Sequence, residues 1–95
     1  MRSITTFELN GCSVKEFVAA NAEVDAWLKR QPGFRSRAIA VMPDGSITDV
    51  LRWESVQAGK DGASRLMVEL ADARVYALIK QDTVSWNVVP VVREA

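Results

Sequence analysis

The chain has 95 residues, and its 12 basic and 12 acidic side chains leave no net charge. This length corresponds to one domain, 1–95, and the lack of concentrated positive charge argues against nucleic acid or an anionic membrane as a partner. No apolar run approaches the roughly 20 residues that a membrane-spanning helix needs. The N-terminal residues lack the apolar core of a signal peptide, so we expect a cytoplasmic protein.

Cysteine and histidine usage excludes several classes of site. The chain contains one cysteine, Cys12, and no histidine. Zinc, copper and haem sites depend largely on these residue types, so we expect no metal and no cofactor. Nucleophilic catalysis of the Ser-His-Asp or Cys-His kind is excluded as well, because both require an imidazole.

The first half of the chain predicts a strand, a helix and a hairpin. β-Branched and aromatic residues over Arg2–Asn10 predict the first strand. Ser13 and Glu16 form a capping-box pattern, and an apolar stripe at helical spacing continues the helix to about Arg30. Pro32 stops this helix. Two strands joined by a turn at Asp44-Gly45 then form a hairpin. Their predicted bounds are Phe34–Met42 and Ile47–Glu54.

The second half predicts a helix, a short helix and a last strand. Their predicted bounds are Val56–Leu70, Asp72–Ile79 and Thr83–Val92. Gly59 and Gly62 weaken the longer helix, so we expect its first half to be irregular or closely packed. Pro90 places part of the last strand at an edge or a bulge. The order β-α-β-β-α-β predicts an α+β, ferredoxin-like fold with a four-stranded antiparallel sheet and helices on one face.

The predicted strands are apolar on both faces. In the third strand Leu51 and Trp53 point to one side and Val50 to the other, and the last strand places Trp86 and Val89 on opposite sides. Helices cover only one side of such a sheet, so a second copy of the chain is expected to cover the other. The alternative is that these are ordinary exposed apolar residues, which are common.

Four short segments carry a family resemblance. They are W-L-K-R at the end of the first helix, P-G-F at Pro32–Phe34, D-G at Asp44–Gly45 and R-W-E-S at Arg52–Ser55. With them the chain resembles the dimeric α+β barrel superfamily and, within it, the antibiotic-biosynthesis-monooxygenase-like domains, over nearly its whole length. Haem-related members often use a histidine, which this chain lacks. The resemblance therefore favours the cofactor-independent monooxygenases, which act on phenolic or polyketide-like molecules, in a homodimer.

Asn21 is the first candidate site residue. It lies in the apolar stripe of the first helix, between Phe17 and Leu28, where a buried amide without partners costs about 1–3 kcal/mol. It resembles the active-site asparagine of the family in residue type. The alternative is an asparagine whose amide simply bonds to a backbone group or a buried water.

Aromatic side chains supply the candidate binding residues. Trp53 and Trp86 lie in strands and are expected to wall a flat pocket for a small aromatic ligand, and Phe17 and Tyr76 are further substrate-binding candidates. The alternative for each is core packing, which we favour for Trp27.

Two arginines lie in the middle of predicted strands. Arg52 is the candidate that would stabilise a substrate anion, with Asn21 as its catalytic partner. The alternative for Arg52 and Arg37 is an ion pair with a carboxylate such as Glu54 or Asp49. Two functions follow from these residues: a cofactor-independent monooxygenase, or a non-catalytic small-molecule-binding or structural dimer.

Overall fold

The computed structural model describes residues 1–94 and contains, within them, four strands and three α-helices. In chain order these are β1 (Arg2–Phe7), α1 (Val14–Ala20), α2 (Ala22–Lys29), β2 (Phe34–Val41), β3 (Ile47–Trp53), α3 (Val56–Glu69) and β4 (Ser85–Val89). The strands form one antiparallel sheet in the order β2-β3-β1-β4. The predicted α+β, ferredoxin-like fold is thereby confirmed.

One face of the sheet forms the core with the helices. Phe7 of β1 and Ile47 and Trp53 of β3 are buried there against Phe17 of α1 and Leu28 of α2. Alternate residues of a strand point to opposite faces, so Leu51 lies on the same face as Ile47 and Trp53 and packs against this core. The helices cover this apolar layer.

The other face of the sheet is not covered by any helix of the described residues. The strand register places Ile4, Val50 and Val89 there, beside Arg2 and Arg52. Ile4, Val50 and Val89 are only partly buried. The homodimer expected from the sequence stays a prediction.

The single helix predicted up to Arg30 is interrupted at Asn21, and this corrects the sequence-based prediction. The backbone N–H of Asn21 donates to Val18 O at 3.1 Å, a tight three-residue step. The side-chain Nδ2 of Asn21 donates to Phe17 O at 2.8 Å, so it occupies the carbonyl that a regular helix would offer to the backbone. Competition between side chain and backbone for one acceptor therefore divides the segment into α1 and α2.

Several predicted bounds were too long. β1 ends at Phe7, and Leu9 keeps only an isolated bridge to Ile79. The short third helix is a 3-10 helix over Arg74–Leu78, with a second 3-10 turn at Gln81–Thr83. β4 covers only Ser85–Val89, and it is an edge strand that ends before Pro90, as expected for a residue that cannot donate to a ladder.

α3 is regular over its whole length despite its two glycines, so its first half is not irregular. The alternative expectation, close packing at the glycines, is confirmed. Gly59 and Gly62 are buried. A Cβ on Gly62 would overlap the ring of Trp53, and one on Gly59 would overlap the thioether of Met1. Missing side chains at these positions let α3 approach the sheet, and tertiary packing offsets their low helix propensity.

Candidate functional site

A cavity of about 860 Å³ lies between the helices and the covered face of the sheet. Its wall is largely apolar and includes residues from all four strands and all three helices described above. Five of the predicted site residues line it: Phe17, Asn21, Trp53, Tyr76 and Trp86. The fold therefore brings together residues that are spread over 70 positions of the sequence (17 to 86), which is the usual construction of a small-molecule site.

The polar part of the wall is a network centred on Arg37. Its Nε and Nη2 donate to the two carboxylate oxygens of Asp49 at 3.1 and 2.7 Å, a bidentate pair. Nη1 donates to Asp25 Oδ1 at 2.8 Å, and Nη2 also donates to Asn21 Oδ1 at 2.7 Å. The side chains of Arg37 and Asp49 are only 11% and 13% exposed, whereas that of Asp25 is 45% exposed. One guanidinium thus joins α2, β2 and β3.

Opposing effects act on the pKa of Arg37. Burial alone would lower the pKa, but the hydrogen bonds and charges of Asp49 and Asp25 outweigh it and raise the pKa above the ordinary value for arginine. Arg37 is therefore permanently charged and already neutralised by its neighbours. Charge-assisted bonds of this kind hold both partners in one geometry.

The same network fixes the orientation of the Asn21 amide. Asn21 is 1% exposed; its Oδ1 accepts from Arg37, and its Nδ2 donates one hydrogen to Phe17 O. An amide nitrogen carries two hydrogens, so a second N–H is left over on a residue of the cavity wall. Asn21 is thus satisfied by a backbone group, as the alternative interpretation held, and it also retains a donor.

The aromatic residues of the wall differ in exposure. Phe17 is buried and packs edge-on against Phe7, and Trp53 is buried and packs edge-on against Phe34 with ring centroids 5.5 Å apart. Trp86, on the edge strand, is 52% exposed, and its indole N–H donates to Ser3 Oγ at 2.7 Å. This bond holds the ring of Trp86 at the open side of the cavity.

Tyr76 contributes a hydroxyl group to the wall. It lies in the 3-10 helix between α3 and β4 and is partly buried. Within residues 1–94, its hydroxyl group forms no hydrogen bond. Burial raises the pKa of Tyr76 above its usual value, and the positive charge of Arg37 partly opposes this. At neutral pH the hydroxyl is therefore protonated and available as a donor.

Arg52 lies outside the cavity. Its neighbours in β3, Leu51 and Trp53, both line the cavity. Because alternate residues of a strand point to opposite faces, Arg52 points to the other face of the sheet. Arg52 instead pairs with Glu94 at 3.0 Å, as does Arg2 at 2.7 Å. The hydrogen bond from Arg2, with the charge of Arg52, holds the pKa of Glu94 below its usual range. Arg52, which the sequence predicts to act with Asn21, therefore lies apart from the cavity that Asn21 lines, and its catalytic role stays a prediction.

Sequence patterns indicate only part of the network around Arg37, and they do not indicate Asp25. The hairpin register places Arg37 opposite Leu51, so Asp49 is a diagonal neighbour on the same face. This register supports the predicted Arg37–Asp49 pair, which the structure confirms. The contribution of Asp25 depends on how α2 crosses β2, and no sequence pattern gives that crossing.

Within residues 1–94, no group of three or more histidine, cysteine, aspartate or glutamate side chains is placed to hold a metal ion. No described helix is both long enough and apolar enough to span a bilayer.

Known proteins resemble this chain in structure. No family model and no curated sequence matches it. SnoaB, a cofactor-independent oxygenase from Streptomyces nogalater, is 21% identical with a TM-score of 0.77, over 98% of this chain and 93% of that one. A monooxygenase from the gene ActVA-Orf6 of Streptomyces coelicolor, solved with the ligand nanaomycin D, is 25% identical with a TM-score of 0.73, over 99% and 89%. The heme-degrader MhuD from Mycobacterium tuberculosis, solved with two hemes in its active site, is 20% identical with a TM-score of 0.80, over 99% and 97%.

Proposed function

We propose that this chain, which has the fold of the antibiotic-biosynthesis-monooxygenase-like domains, is a cofactor-independent monooxygenase that acts on a small, flat aromatic molecule. The observation that carries the proposal is the cavity of about 860 Å³, walled by aromatic side chains and holding free hydrogen-bond donors. A cavity of this size suits a molecule of several fused rings.

Some residues of the wall determine its shape, and others supply its hydrogen-bonding groups. Trp53 and Trp86 offer flat surfaces against which an aromatic ring system packs. The Tyr76 hydroxyl and the remaining Asn21 N–H donate hydrogen bonds to an oxygen substituent of the substrate. Partial negative charge develops on that oxygen as the substrate loses a proton, before its electrons pass to molecular oxygen. Preorganised donors stabilise charge that develops in a transition state.

The proposed reaction needs only the substrate and molecular oxygen. A methylene group between two aromatic rings, as in an anthrone, supplies four electrons and two protons to O₂. One oxygen atom becomes the carbonyl oxygen of the product, and the other leaves with the two protons as water. Haem is a poor alternative for this chain, because it contains no histidine to bind the iron.

We further infer that the uncovered sheet face is the contact between two copies of the chain. Ile4, Val50 and Val89 support this inference, because they form an apolar patch that the helices leave open. A domain of this size also gains stability from burying such a patch. The cytoplasmic location stays a prediction.

Oxygen uptake with an anthrone-type substrate tests the proposal. We expect the wild-type protein to consume one O₂ per substrate, beyond spontaneous oxidation, and to release the corresponding quinone. Asn21→Ala and Tyr76→Phe should each reduce the rate, whereas Ala63→Phe, which places a ring in the cavity, should abolish it. A rate in Ala63→Phe equal to that of the wild type would place the reaction outside the cavity and contradict the proposal.

A second function has specific support. The polar groups at the centre of the wall, Arg37, Asp49 and the Oδ1 of Asn21, are bonded to one another. A cavity whose charged groups serve the fold suits a non-catalytic binding protein. Tight binding of the aromatic substrate without any oxygen uptake would favour this alternative.

A further inference from the structure

We propose that the cavity selects neutral aromatic ligands over anionic ones, and that Asp25 and Asp49 determine this selectivity. The inference rests on the proposed function, because it assigns a charge preference to the ligand of the same cavity. Its basis is the state of Arg37, the cation of the cavity wall, which two carboxylates already neutralise.

The cluster of Arg37, Asp49 and Asp25 carries a net negative charge. Within residues 1–94, the charged members of the wall are Arg37 and Asp49, and the charges of their ion pair at 2.7 Å cancel. Asp25 lies behind the wall with its side chain 45% exposed, contacts the same guanidinium at 2.8 Å and adds a second carboxylate to it. No other cation lines the cavity within the described residues.

Arg37 is not free to turn toward a ligand. Its side chain is 11% exposed and makes four hydrogen bonds, two of them to Asp49. Release of the guanidinium would leave the Asp49 carboxylate buried without a partner, which is strongly unfavourable. An anionic ligand would therefore lose its hydration without gaining a counter-charge, and it would also face the excess charge of the aspartates.

The free groups of the wall suit a neutral ligand with an acceptor. The Oδ1 of Asn21 already accepts from Arg37, the amide keeps a second N–H, and Tyr76 offers an O–H. Both are donors that match a ketone or quinone oxygen. The ligand class is therefore a neutral fused-ring molecule with a carbonyl group, and a carboxylate on the same ring system is a reason for rejection.

Equilibrium dialysis with two matched probes tests the inference. Acetylnaphthalene and naphthoate carry a neutral and an anionic acceptor at the same ring position, and both are measured at pH 7 on the full chain. We expect acetylnaphthalene to bind at least about tenfold more tightly. Asp25→Asn should reduce that preference severalfold, because it removes a charge and retains an oxygen that accepts from Arg37. Glu23→Gln, an equal change of charge at an exposed position of α2, should leave the preference as it is.

The outcomes separate this inference from the proposed function. If both probes bind equally well, or naphthoate binds better, the charge selectivity is wrong while the aromatic site stands. An equal effect of Asp25→Asn and Glu23→Gln would refute the role of Asp25. Binding of neither probe would overturn the proposed site and this inference together.

Discussion

Replacement of Arg37 by methionine is the most informative perturbation of this structure. Methionine keeps much of the apolar length of the side chain and removes the guanidinium. Four hydrogen bonds disappear, and the carboxylate of Asp49, 13% exposed, stays behind without its bidentate partner. Asn21 also loses the donor to its Oδ1. The folded state then contains a nearly buried charge that the unfolded state leaves in water.

The expected loss follows from this unpaired charge. Removal of one member of a buried ion pair costs about 3–5 kcal/mol, and we expect the unfolding free energy of Arg37→Met to fall by that amount. The contact with Asp25 adds little, because a half-exposed ion pair contributes about 0–1 kcal/mol. A small domain has a total stability of about 5–15 kcal/mol, so the variant should be close to unfolding at 37 °C. Its Tm should fall by about 12 °C or more.

Urea denaturation followed by tryptophan fluorescence measures this loss. Arg37→Met/Asp49→Leu is the control, because a pair replaced as a whole by apolar side chains leaves no unpaired charge and should recover most of the stability. A loss below about 1 kcal/mol, or a double variant no more stable than the single one, would refute the view that Asp49 depends on Arg37.

Three more predictions concern other parts of the fold. Gly62→Ala should destabilise the protein by about 1–3 kcal/mol in denaturation, because the added methyl group overlaps the ring of Trp53. Tyr76, the chain's single tyrosine, should titrate above pH 10 when followed by ultraviolet absorbance. Its pKa is higher in the folded than in the unfolded state. The stability that it contributes is therefore complete below pH 10 and is lost as the pH rises through the folded pKa. Val50→Lys should shift the protein toward monomer in sedimentation, whereas Val68→Lys, on the exposed side of α3, should not.

Matched variants test the predictions for Gly62 and Tyr76. Gly59→Ala meets mainly the flexible end of Met1, so it should cost less than Gly62→Ala; equal costs would contradict the rigid contact with the tryptophan ring. Tyr76→Phe should remove the loss of stability at high pH, and a midpoint at or below 10 in the wild type would show that the hydroxyl is not desolvated.

Local patterns in the sequence determined the order of the strands and main helices and the positions of the turns between them. The capping box at Ser13, with its hydroxyl accepting from the Glu16 N–H at 3.1 Å, and the positive φ of Gly33 and Gly45 are as the residues predict. These features depend on neighbours within a few positions, and such interactions are encoded directly by residue type. Alternation along β3 similarly grouped Leu51 and Trp53 on one face of the sheet, but the packing of the helices decided that this is the covered face.

Apart from the Arg37–Asp49 pair, only the tertiary structure decided which polar groups meet. The alternation that places Trp53 in the cavity also places Arg52 on the other face of the sheet, and the residue type alone does not distinguish the two faces. The guanidinium that does reach the cavity, Arg37, is held by Asp25 through the crossing of α2 over β2. Contacts between residues distant in sequence depend on how whole elements pack, and the bond from Arg37 to the Oδ1 of Asn21 is one of them. The sequence therefore determined the fold, and packing determined the site.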